Sequence, residues 1–388
     1  MPVLALCLAL AYAAAWALPL VRVAPNRLLS GEGVGLTELL SGPQCTLALG
    51  LGVALLLLAA AGRRHRAPQA LLAAALACAL PLLWWLAARH ADTVVLTESS
   101  RYRTALGAGF WSLLALAWLA CLDAIARQRL AQRHQLLVTA LATLPMVLAL
   151  ASGMGNELSI FKEFTSRREL FGSAIVRHLQ IVALACVPAV LLGWPLAWAL
   201  VRWTALQRWS LPVLNIIQTI PSIALFSLFM APLGWAAAHW PWLQSVGVRG
   251  VGLAPAVLAL LLYALLPIVR SAMAGLQSVP ASVTLTARAM GMGPWHIVWH
   301  VELPLTWPVL MAGLRTAVVQ TIGLAAVTAL VGAGGLGSIM FDGLFSAANE
   351  LVILGAVPIV LLAVLADAVF KALAPLAPTS RLPNARAA

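Results

Sequence analysis

Ten stretches of the chain are almost continuously apolar, and polar connectors separate them. They run at about 2–21, 44–61, 68–88, 107–126, 134–152, 179–201, 211–233, 251–270, 307–331 and 350–373, and each approaches the roughly 20 apolar residues a helix needs to cross a bilayer. The pattern predicts an all-α integral membrane protein of about ten transmembrane helices. Only Met1 and Pro2 precede the first run. Without a basic leader it reads as a helix rather than a cleaved signal.

The polar connectors organise the chain. Segment 153–178 is the most polar. Glu157, Glu163 and Glu169 balance Lys162, Arg167, Arg168 and Arg177 there. It divides an N-terminal five-helix extension (1–152) from a C-terminal five-helix core (179–373), with a tail at 374–388. Two very short connectors carry Arg63, Arg64 and Arg66, and Arg127, Arg129 and Arg133, without an acid. Arg-dense short loops stay on the cytoplasmic side. That places both termini and the tail inside, and segment 153–178 outside.

Composition agrees with this picture. Of 388 residues, 62% are hydrophobic and 9% charged, against about 25% charged in soluble domains. Soluble enzymes and disordered chains are excluded. A net charge of +12 would suggest nucleic acid in a soluble chain. Here the charges sit in loops, so the expected partner is the lipid bilayer and not a nucleic acid. Cys7, Cys45, Cys78, Cys121 and Cys186 lie in or beside apolar runs with no Cys-x-x-Cys pair, and read as small buried hydrophobes. Most of the 15 Trp, such as Trp84, Trp85, Trp240 and Trp242, fall near span ends, as in an interfacial belt. A cage for a quaternary ammonium group is the other reading.

Catalytic chemistry is missing. A P-loop needs Gly-Lys followed by Ser or Thr, yet the two lysines, Lys162 and Lys371, each follow Phe. Neither His-Glu-x-x-His nor Gly-x-Ser-x-Gly occurs. The chain is therefore expected to be no enzyme and to hold no ATP. His296 and His300 share a helix face four residues apart, but a third metal ligand is missing because Glu302 falls off that face. All three read as polar loop surface. Asp123 and Asp367 lie near the cytoplasmic ends of their spans, and Arg315 lies about two turns into its span, where a long side chain can snorkel to the interface. No carboxylate sits at mid-span, which counts against a proton-driven carrier. A self-contained ion-coupled secondary transporter for a small polar solute remains the alternative.

The informative loop is 271–306. A short helix can run to Gly291, where glycine permits a left-handed exit, and Pro304 restricts the chain before the next span. Such a platform can dock a partner and move two membrane helices together. A small-residue helix, a Gly, and then Leu303-Pro304 resembles the EAA loop of type I ABC importer permeases. Leu285, Thr286 and Ala287 occupy the family's Glu-Ala-Ala positions, and Ala287 alone matches. Gln218-Thr219-Ile220-Pro221-Ser222, Arg288-Ala289-Met290-Gly291-Met292, Gly313-Leu314-Arg315-Thr316-Ala317 and Gly332-Ala333-Gly334-Gly335-Leu336-Gly337 together resemble the permeases of glycine betaine, choline and osmoprotectant importers. The N-terminal half adds Ala24-Pro25-Asn26-Arg27-Leu28, Gly109-Phe110-Trp111 and Asp123-Ala124-Ile125, which are similar to the YehY-type betaine uptake permeases.

The resemblance implies a bacterial inner-membrane permease subunit. A separate ABC ATPase would bind ATP and Mg and dock on Leu285, Thr286, Ala287, Arg288, Ala289, Met290, Gly291, Met292 and Gly293, with Leu303 and Pro304 closing the loop. No cofactor is expected in this chain. A periplasmic or external binding protein would deliver glycine betaine or a related osmolyte, and a second permease chain would complete the pathway. Polar residues beside Pro221 (Gln218, Thr219 and Ser222), with Gln320 and Thr321 in the ninth span, either line that pathway or pack between helices. Gly332, Gly334, Gly335 and Gly337 form either a gate hinge or a packing turn.

Overall fold

The computed structural model describes residues 2–26, 29, 31–61, 66–99 and 101–373. The expected tail at 374–388, and Arg63 and Arg64, lie outside the described residues. The chain divides into two units, Met1–Arg167 and Arg168–Ala388.

The first unit runs α1 (Pro2–Ala17), β1 (Val21–Ala24), β2 (Glu32–Val34), α2 (Leu36–Leu39), α3 (Gly42–Ala61), α4 (Arg66–Thr97), β3 (Arg103–Leu106), α5 (Ala108–Ala126), α6 (Gln132–Ala151) and α7 (Ser159–Ser166). Its core is apolar. Leu72, Leu76 and Leu80 of α4 meet Ala117, Cys121 and Ile125 of α5. Nearer the sheet, Trp84 packs with Phe110, Leu20 and Leu158, and its indole N–H donates to the Met154 carbonyl at 3.0 Å.

The strands form one antiparallel sheet in the order β2-β1-β3, with Val21 opposite both Val34 and Leu106. The apolar-run reading contains no strand, so this sheet is an addition to it. Strands of three or four residues carry too little alternation to register. Gly107 fits because any side chain there would overlap the Pro19 carbonyl.

The second unit runs α8 (Arg168–Arg202), α9 (Thr204–Thr219), α10 (Ser222–His239), α11 (Pro241–Ser245), α12 (Leu253–Gln277), α13 (Ala281–Ala289), α14 (Pro294–Ile297), a π-turn (Val298–Glu302), α15 (Leu303–Val327), a 3-10 turn (Thr328–Val331), α16 (Leu336–Phe345) and α17 (Asn349–Leu373). Helix α12 is its centre. Ile268, Ala272 and Met273 pack against Ala197 and Leu200 of α8 and Leu310 and Ala317 of α15. Small residues set the closest approaches. Gly313 of α15 lies on Ser271 and the Pro267 carbonyl, and Gly275 of α12 lies on Thr306.

Among the described residues, eight helices are long and apolar enough to cross a membrane, against the ten expected. Where the first and fifth spans are expected lie the helices α1 and α6, the latter 20 residues long, with apolar stretches Leu6–Ala17 and Leu137–Ala151 among the described residues. The sixth begins earlier than expected, at Arg168 rather than 179, so the polar stretch 153–178 is shared between α7 and the first turns of α8. The seventh is broken at Ile220 and Pro221. Arg315, expected to reach for the interface, pairs with Asp367, which also receives Lys371 at 2.6 Å.

Candidate coupling and translocation site

The loop after α12 folds as its residues dictate. Helix α13 stops at a glycine with φ of +83°, Gly291. The Met292 N–H donates to the Ala287 carbonyl at 3.1 Å and the Met290 N–H to Thr286 at 3.0 Å, which closes the orphan carbonyls of the last turn. Gly293 and Pro294 then start α14. The following π-turn has a covalent cause. Pro304 has no N–H to give the His300 carbonyl, and the Leu303 N–H reaches back five residues to Val298.

This geometry sorts the loop residues. Leu285, Thr286, Arg288, Ala289, Met290, Gly291 and Gly293 are exposed, Met292, Leu303 and Pro304 are half-buried, and Ala287 is buried. Ala287, Met290, Met292 and Val301 line a shallow cavity of about 290 Å³. Leu285, Met290 and Trp295 are 62%, 71% and 70% exposed. Three large apolar side chains this exposed are more than a solvated loop requires.

Glu302 corrects the sequence reading. It is 8% exposed rather than part of the loop surface. Arg202, at the end of α8, donates from Nη2 to Oε1 at 2.8 Å and to Oε2 at 3.1 Å. The same guanidinium lies 4.1 Å over the Trp198 ring, and Trp198 stacks on Trp295 of α14 at 6.0 Å and 7°. The loop is thus fastened to α8 as well as to α12 and α15. Partners 100 residues apart carry no local signal. The one available clue is a carboxylate between apolar neighbours, which demands a cation. His296 and His300 do share a face, with rings stacked at 3.9 Å. Among the described residues, no group of three potential metal ligands occurs.

The break in the seventh span is a second polar joint. Ile220 and Pro221 are extended between α9 and α10. Inside α12, Pro267 leaves the Tyr263 carbonyl without its helical donor. The Gln218 amide supplies one at 2.8 Å, and the Tyr263 hydroxyl donates in return to the Ile220 carbonyl. Thr219 bonds its own helix at Ile216, 2.7 Å away. Thr219 and Pro221 face outward and Ser222 is half-buried. Thr321 is 1% exposed and bonds the Ala317 carbonyl at 2.7 Å, while Gln320 is half-buried. Of the pathway candidates, Gln218 and Thr321 are committed to internal bonds, and Thr219 and Pro221 face away from the core.

The glycine segment is a clamped turn. Gly332, Gly334 and Gly335 have φ of +79°, +82° and +86°, a region that side chains other than glycine rarely adopt. Gly337 lies against Ala326, with no room for a Cβ. Arg177 Nε donates to the Ala333 carbonyl at 2.9 Å, and the Gly252 N–H donates to Val331 at 2.8 Å. His178 Nε2 is 3.1 Å from the Ile322 carbonyl, and its ring packs on Gly335.

Residues 189–377 match the binding-protein-dependent transport system inner membrane component family. Residues 1–161 match the N-terminal domain of the ABC transporter permease YehY. The protein is therefore of the ABC importer permease class, a multi-pass membrane component that works with an ATPase and a substrate-binding protein. The osmoprotectant import permease protein OsmW of Salmonella typhimurium is 40% identical over 195 residues, covering 50% of this chain and 86% of that protein. The glycine betaine/carnitine/choline transport system permease protein OpuCD of Bacillus subtilis is 37% identical over 205 residues, covering 52% and 82%. A chain of the inward-facing MetNI methionine ABC transporter matches with a TM-score of 0.44 and 23% identity, over 53% of this chain and 97% of that one. The chain belongs to the binding-protein-dependent permease family, in the group of the osmoprotectant permeases.

Proposed function

We propose that this chain forms the translocation pathway of an ATP-driven importer for glycine betaine or a related compact quaternary amine. The relatives named for osmoprotectants and for glycine betaine, carnitine and choline support the substrate class. The observation that carries the coupling role is the exposed apolar face of α13 and α14, on a loop fastened to three helices. An ATPase subunit, holding ATP and Mg, docks there. When the ATPase pair closes, α12 and α15 move with the loop, and the Arg202–Glu302 pair carries the same displacement into α8. An external binding protein delivers substrate on the opposite face of the bacterial inner membrane, and both termini lie on the ATPase side. A second permease chain, identical or paired, completes the pathway beside the outward-facing Thr219 and Pro221. The turn at Gly332–Gly337 is the gate hinge, held shut by Arg177 and His178.

Reconstitution tests this reading. The chain is placed in vesicles alone, then with the ATPase and binding protein, and labelled betaine uptake is measured with and without ATP. Uptake that needs all three components and ATP is expected. Gradient-driven uptake by the chain alone would overturn the proposal in favour of a secondary carrier.

A further inference from the structure

The unit Met1–Arg167 contains a half-open cleft of about 400 Å³, within the ~300–1,000 Å³ of small-ligand pockets. Side chains of α1, α3, α4 and α5 wall it. Leu8 and Leu76, 5% and 2% exposed, line its interior, while the exposed Leu51 and Trp85 line its open side. Gln44 is its one amide side chain, and its oxygen already accepts the Ser41 N–H at 3.0 Å. Walls of this kind keep water out, and an empty void costs stability in proportion to its volume.

One end of the cleft is different. One turn past Trp85, the exposed Arg89 holds its guanidinium 5.3 Å over the Trp85 ring. Among the described residues, no carboxylate pairs with it. Arg89 is 22 residues beyond Ala67, where the spanning segment of α4 begins, or roughly 33 Å of helix at 1.5 Å per residue. The hydrocarbon layer is ~30 Å thick, so a span that enters the layer at Ala67 brings Arg89 to the headgroups of the far side. A cation at headgroup level next to an apolar cleft is the negative image of a phospholipid.

We propose that this cleft binds a bilayer phospholipid, with an acyl chain between α1, α3 and α4 and the phosphate on Arg89. Helix α3 is built to admit it. Only 6% of its spanning window is buried, and Gly52 touches α1 through the Tyr12 ring, a side chain that can swing aside.

The full chain is placed in nanodiscs of phosphatidylethanolamine and phosphatidylglycerol doped with a phospholipid bearing a diazirine at its acyl terminus. After illumination, adducts are mapped by mass spectrometry. Adducts on Leu8 and Leu76 are expected, because annular lipid does not reach these buried positions. Arg89→Gln, at an exposed site that leaves the core intact, lowers their yield about fivefold to tenfold, the loss of a charge-assisted contact to phosphate. Leu51→Trp, which fills the cleft, removes them. Adducts confined to exposed residues such as Leu141 would overturn the proposal. So would an unchanged yield in Arg89→Gln, or equal labelling of Leu8 and Leu76 by a phosphate-free alkyl glucoside carrying the same diazirine.

Discussion

The two units solve the same problem, packing apolar helices, by different means. In Arg168–Ala388, polar side chains tie one helix to another at several points, some of them where a proline or a tight turn frees a backbone group. Gln218 serves the carbonyl opened by Pro267, Tyr263 serves Ile220, Arg177 serves Ala333, and Arg202 holds Glu302. In Met1–Arg167, contacts between helices are mostly side-chain packing, and the polar ties gather near the sheet, as with Trp84 on Met154 and Arg103 beside Glu163 at 3.9 Å. Helix α12 has 56% of its spanning window buried, against 6% for α3. A helix bundle that must move as a mechanism needs directional joints. A bundle solvated by lipid does not.

The sharpest break in this comparison is one substitution made in both units. Gly337→Val forces a side chain into the Ala326 backbone and is expected to cost more than about 4 kcal/mol, seen as loss of monodisperse protein in detergent. Gly52→Val meets only the Tyr12 ring, and about 1 kcal/mol is expected, with the protein still monodisperse. Equal losses would erase the distinction between the units.

Glu302→Gln removes the charge from a mostly buried pair and should lower stability by about 2 kcal/mol. In the assembled transporter it is expected to reduce uptake per ATP hydrolysed about tenfold while ATP hydrolysis persists. The swapped pair, Arg202→Glu with Glu302→Arg, recovers part of that ratio. Gln218→Leu leaves the Tyr263 carbonyl unsatisfied, at a cost of about 1–2 kcal/mol, measured as a lower thermal midpoint. The smallest effect is expected from Leu285→Glu, which restores the family's acid. Its stability change stays within about 0.5 kcal/mol because the site is exposed, and titration with the ATPase subunit should show a several-fold change in affinity.

Much of this was legible in the residues. Long apolar runs mark helices because lipid leaves a chain no other way to satisfy its backbone. Gly291 and Pro304 mark the loop because their constraints are local. What escaped was either short or distant. Three strands of three or four residues sit below any periodic signal. The Arg202–Glu302 and Gln218–Tyr263 joints join residues 100 and 45 positions apart, and nothing in either neighbourhood names its partner. The run at 211–233 read as one span because its apolar character continues through Pro221, while the backbone does not.

The π-turn at Val298–Glu302 is one residue longer than an α-turn would be, and an α-helix advances about 100° per residue. Everything before it is therefore set about 100° out of phase with α15. Deleting Val301 would restore ordinary winding and rotate the docking platform around the helix by that angle, turning Trp295 away from Trp198 while Glu302 stays in register with α15. The platform's aim is thus written in a single surplus residue, and an insertion or deletion there works as a dial where a substitution works as a switch.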